Sequence, residues 1–88
     1  MTPKEIVLKA VSDKQFATKY CNTHDIKFNE NPARSISNFF KKYTVGTTIM
    51  SHTSWCTFVI SKIDADAGMF ITSAGPAIKF NNCHATEK

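Results

Sequence analysis

The amino-acid vocabulary of this chain changes at Gly46, and that change limits the folds open to it. Ahead of Gly46, apolar residues recur at helical spacing; behind it, β-branched and aromatic residues come in short runs divided by turn residues. A chain of 88 residues has room for one hydrophobic core. Helices and strands must share it, which predicts an α+β domain with two or three N-terminal helices packed on a small C-terminal antiparallel sheet of three to four strands. A single compact domain is expected over residues 1–80, with residues 81–88 as a loose tail.

Local signals place the helices. Thr2-Pro3-Lys4-Glu5 reads as a capping box with proline at the first helical position. Ile6, Val7, Ala10 and Val11 then form an apolar stripe. Ser12-Asp13 interrupts it and can cap a second helix whose apolar face is Phe16, Ala17, Tyr20 and Cys21. Two helices and one bent helix both fit this stretch. Ile26 and Phe28 suggest a short extended piece inside a connection. Asn31-Pro32 repeats the start signal, and Ile36, Phe39, Phe40 and Tyr43 fall at i, i+3, i+4 and i+7, one buried face of a third helix that Gly46 can stop. Strands are expected at Thr47–Met50, Trp55–Ile63 and Met69–Thr72, with a fourth at Ala77–Phe80. Turns fall at Asp64–Gly68 and Ser73–Pro76.

Several function classes lose support at once. Seven Phe, two Tyr and one Trp supply a core that needs no cofactor, and no apolar run approaches the ~20 residues of a membrane span. The start has no secretory h-region, so the expected location is cytoplasmic. Cys21, Cys56 and Cys83 are odd in number, which suits reduced thiols. Cys21 and His24, with His52 and Cys56, carry zinc-ligand chemistry, but their spacing is not that of paired knuckles, and no metal is expected. No nucleophile motif or phosphate-cradling glycine loop is present, and Asp64-x-Asp66-x-Gly68 departs from a calcium loop and reads as a turn. The chain is therefore expected not to be an enzyme.

What remains is charge. Eleven Lys and Arg against seven Asp and Glu give a net +4. On the third helix, Arg34, Asn38 and Lys41 lie opposite the apolar stripe, with Ser35, Ser37 and Lys42 at the flanks. These residue types pair with guanine, adenine and phosphate oxygens. The plain alternative is the solvated side of an amphipathic helix.

Two helical segments, a basic third helix and a hairpin resemble winged-helix DNA-binding domains, over residues 3 to 73 and by element order alone. The resemblance implies a third helix in the major groove, with Arg34, Ser37, Asn38 and Lys41 facing bases, and a hairpin wing whose basic residue is Lys62. The connection from Asp25 to Asn31 is longer than the family's usual turn, and the wing tip carries Asp64 and Asp66. The expected function is a small non-enzymatic binding module for nucleic acid, DNA in particular, through Arg34, Ser37, Asn38, Lys41, Lys42 and Lys62. The alternative is a protein-binding regulator or inhibitor that occupies a partner's surface by a sheet edge or the same helix. Trp55, Phe58 and Phe70 could stack single-stranded bases if exposed together, but helices covering the sheet would put these rings inside.

Overall fold

The computed structural model describes residues 1–86 and shows three helices followed by a five-stranded antiparallel sheet, the expected α+β arrangement. The helices are α1 (Pro3–Ser12), α2 (Lys14–Thr23) and α3 (Pro32–Lys42). Each starts where its side-chain chemistry directs. The Thr2 hydroxyl accepts from the Glu5 amide while the Glu5 carboxylate accepts from the Thr2 amide, a complete capping box. Asp13 closes α1 in extended backbone and caps α2 by accepting from Phe16 N at 3.1 Å, so the two helices are separate. Asn31 caps α3 by accepting from Arg34 N at 3.1 Å.

The strands are β1 (Thr48–Ser51), β2 (Thr57–Asp64), β3 (Met69–Thr72), β4 (Ala77–Lys79) and β5 (Cys83–Ala85), in the order β4-β3-β2-β1-β5. β2 serves two neighbours. Its first half pairs with β1 and its second half with β3, and a register shift between Ile60 and Lys62 bends it there. β4 and β5 stand at opposite edges yet are joined only by a 3-10 turn, Phe80–Asn82. The four Cα–Cα steps from Lys79 to Cys83 span about 14 Å at most, less than the ~19 Å across a flat five-stranded sheet, so the sheet curls to bring its edges closer at that end.

β5 corrects one expectation. Residues 81–85 are not a loose tail, because Cys83, His84 and Ala85 pair with Ser51, Met50 and Ile49 of β1. The Asn-rich run hid a strand of three residues. Residues 87 and 88 lie outside the described residues. The first helix also differs in detail: Ile6 and Ala10 are buried, but Val11 is 72% exposed.

The core lies between the helices and the concave side of the sheet. Ile6, Ile36, Ile49, Ile60 and Phe70 have essentially no exposure. The ring of Phe70 stacks with Phe39 at 6.1 Å and Tyr43 at 5.3 Å, and Phe80 closes on Phe70 at 4.6 Å. A second joint holds α2 to the β2–β3 turn. There the Tyr20 hydroxyl donates to the Ala65 carbonyl at 2.6 Å, and burial pushes its ionisation upward. His24 sits between Tyr20 and Phe80, at 4.4 and 5.7 Å, directly over Gly68.

That close approach explains the glycine. At φ +70°, a methyl group on Gly68 would overlap the His24 ring, whereas Gly75, at φ +111°, has open space around it. Gly75→Ala should cost about 1–2 kcal/mol from backbone strain alone, and Gly68→Ala about 3–4 kcal/mol from strain plus overlap. Urea unfolding followed by far-UV circular dichroism measures both; equal costs would disprove the packing of His24 on Gly68.

His24 also gives stability a pH dependence. Burial holds its imidazole below the ordinary value of 6.5, so the folded chain binds this proton less well than the unfolded one. Its contribution is complete above pH 6.5 and is lost as pH falls through the lower, folded value. Between about pH 7 and pH 5, the wild type should therefore lose more stability than His24→Asn, compared by urea midpoints. Parallel losses would show that His24 is not the group responsible.

Candidate nucleic-acid interface

The orientation of α3 follows from its sequence. Ile36, Phe40 and Tyr43 are buried and Phe39 packs against the core, so the opposite side is forced outward. Arg34, Asn38, Lys41 and Lys42 are all exposed there, with Ser35 and Ser37 half-buried at the flanks. The helix is stopped by Tyr43, whose amide donates to the Phe39 carbonyl at 2.9 Å and whose hydroxyl accepts from Ala85 N at 3.3 Å. α3 is thereby fastened at its C-terminal end to β5. Lys41 and Lys42 occupy its last turn, and the Lys42 ammonium lies 5.8 Å from the Tyr43 ring.

The electrostatics of this surface are one-sided. Among the described residues the single ion pair is between the Met1 ammonium and Asp66, so Arg34, Lys41, Lys42 and Lys62 have no carboxylate partner. From Asn31 to Ile63 the sequence contains no Asp or Glu at all. Beside the first turn of α3 lies an open depression of about 670 Å³ lined by Asn29, Glu30, Asn31, Arg34, Ser35 and Asn38. Glu30 is the one carboxylate at its rim.

Lys62 is set apart from the other five residues. It lies across from Ile71 on β2 and edges a different depression with Met1, Thr2, Pro3 and Glu5. The β2–β3 hairpin is tied to the helices at its tip. Its tip is held by the Tyr20–Ala65 hydrogen bond, by the Met1–Asp66 pair and by His24 over Gly68. Asp64 accepts from Ala67 N at 3.2 Å, as a turn residue does.

The cysteines and histidines do not converge on a metal. Cys21 is buried in α2 with its thiol toward the Pro32 carbonyl, His24 is sandwiched as described, and Cys56 is exposed with its thiol toward Ser54 O. Among the described residues no group of three or more His, Cys, Asp or Glu could hold an ion. Burial raises the Cys21 thiol above its ordinary value and pushes Cys83 up to about 11.

One exposed cluster escaped the sequence reading. Trp55, expected inside, is 67% exposed on the β1–β2 loop with φ at 57°. Phe70 is fully buried and Phe58 half-buried, so the three rings share no open platform. His52 lies 6.1 Å from Trp55, ring to ring, and its Nε2 is 2.7 Å from Nδ1 of His84 on β5. The only local signal was Ser-His-Thr-Ser between two strands, a polar run that also made Trp55 a loop residue.

Comparison with known proteins returns no matching family model, no matching curated protein and no matching solved structure. The thiol environments give a direct check: a maleimide should label the native chain once, at Cys56, and label Cys21 and Cys83 only after unfolding. Intact-mass spectra showing more than one adduct on the folded chain would contradict the burial described.

Proposed function

We propose that this chain is a small non-enzymatic module that binds nucleic acid through the outward face of α3. The observation that carries the reading is the pairing of a buried apolar stripe with an exposed opposite face in which Arg34, Lys41 and Lys42 have no carboxylate partner, Glu30 standing at its rim. An α-helix of 11 residues is about 16 Å long and, with its side chains, about 10–12 Å wide, which suits a major groove about 12 Å across. Arg34 and Asn38 lie one turn apart, the spacing at which two side chains reach neighbouring base edges. Lys41 and Lys42 lie where a phosphate strand would pass. Ser37, at the flank, suits a phosphate oxygen, and Lys62, which edges a different depression, is left out of this contact.

A second reading has its own support. In β4, the pairing of Phe70 with Ile78 leaves Ala77 and Lys79 turned to the free edge, beside a groove of about 720 Å³ that includes Ser51, Thr53, Phe58 and Asn82. An extended segment of a protein partner could add there as a further strand.

Salt separates the two. If Arg34, Lys41 and Lys42 each neutralise one phosphate, duplex affinity falls about 40-fold between about 50 and 200 mM salt. Arg34→Ala with Lys41→Ala should leave the fold intact, weaken duplex binding at least ~10-fold at low salt and flatten the salt slope by about 1–2. Fluorescence anisotropy with a labelled mixed-sequence duplex measures this. Unchanged affinity in the folded double variant would overturn the nucleic-acid reading.

A further inference from the structure

Trp55 is held in a costly position. A bulky residue at φ 57° lies in the left-handed region, at about 1–2 kcal/mol, and its ring is left largely in water. The surrounding structure enforces both. Trp55 N donates to Ser51 O at 2.9 Å and Ser51 N to Cys56 O at 3.0 Å, which closes the loop. The loop is then tied to the 3-10 turn by His52 N to Asn82 O at 2.9 Å and by the Asn82 amide to Thr53 Oγ1 at 2.7 Å. The hydrogen-bonded rings of His52 and His84 brace it on a third side. An aromatic ring presented to solvent on so firmly tied a loop is preorganised for a flat partner.

The setting specifies which partner. Trp55 connects to α3 through a short series of contacts: His52, His84 on β5, the adjoining Ala85, and Tyr43 beneath Lys42. Among the described residues no Asp or Glu lies on this route; Lys42 stands at one end of it, and Lys79 lines the same groove as Thr53 and Ser54 at the other. Such a surface favours a polyanion, and a polyanion with flat faces to stack is a nucleic acid whose bases are unpaired.

We propose that Trp55 is a stacking residue for an unpaired base, on a strand whose phosphates follow the surface from the C-terminal end of α3 across β5 to the β1–β2 loop. The inference rests on the nucleic-acid reading above and extends it to single-stranded segments. His52 and His84 act as positioning residues that hold the loop.

Trp55 is the one tryptophan of the chain, so it reports on its own occupancy. Twelve-residue oligo(dT) at about 50 mM salt should quench its emission saturably, with half-saturation matching the anisotropy of labelled oligo(dT). Trp55→Ala should weaken oligo(dT) binding about 5- to 150-fold, the equivalent of one lost stack, and Trp55→Phe should keep most of the affinity. Circular dichroism and the urea midpoint confirm that both variants fold. His52→Ala should weaken oligo(dT) binding and leave duplex binding unchanged.

Failure of either idea is recognisable. If Arg34→Ala with Lys41→Ala weakens binding while Trp55→Ala does not, the α3 reading stands and the stacking proposal falls. Oligo(dT) bound with no change in Trp55 emission, or not bound at all, also overturns stacking. If the α3 double variant binds duplex and oligo(dT) as the wild type does, the functional reading itself fails.

Discussion

The ring of Phe70 is where the two halves of this protein meet. It is fully buried at the centre of β3, faces Phe39 and Tyr43 from α3, and touches Phe80 from the turn before β5. Aromatic pairs of this kind add about 0.5–1.5 kcal/mol each beyond the area they bury. Their more important effect is geometric. Once Phe39 and Tyr43 are committed to Phe70, the rotation of α3 about its axis is fixed, and Arg34, Asn38 and Lys41 can only face water. The candidate interface is set by packing on its far side, and none of its own residues is needed to hold it in place.

Charge is divided by task. The acids are largely occupied within the fold: Glu5 completes a capping box, Asp13 caps α2, Asp64 closes a turn and Asp66 meets the Met1 ammonium. The interactions of Glu5 hold its carboxyl below the usual range, led by its hydrogen bond from the Thr2 amide, and Asp66 holds the Met1 ammonium above its ordinary value. No Lys or Arg among the described residues has an equivalent ion-pair role. Four of the seven acids serve caps, a turn and the N-terminus, while Arg34, Lys41 and Lys42 stay without ion pairs on α3, so a modest net +4 becomes a locally cationic face.

Legibility in the sequence tracked locality. The caps at Thr2, Asp13 and Asn31 and the buried stripe of Ile36, Phe40 and Tyr43 depend on residues within a turn or two of one another, and the sequence displays them directly. β5 was missed because Cys83–Ala85 is a strand only by virtue of its pairing with Ile49–Ser51. The fate of Trp55 was equally non-local. Its exposure is decided by a loop tied to Asn82, and nothing around residue 55 announces that partner. The tethered β2–β3 tip belongs with these cases, since Tyr20, His24 and Met1 all reach it from far along the chain.

The joining of opposite sheet edges by Phe80–Asn82 bears on how the chain folds. The helices gain their hydrogen bonds from near neighbours and can form early, whereas β5 must find β1 across all the intervening strands, Ala85 meeting Ile49. The loop-closure entropy of the sheet is thus concentrated in its final pairing. Until that pairing forms, the outer edge of β1 is open to intermolecular pairing as well, whereas the edge of β4 stays free even in the folded chain.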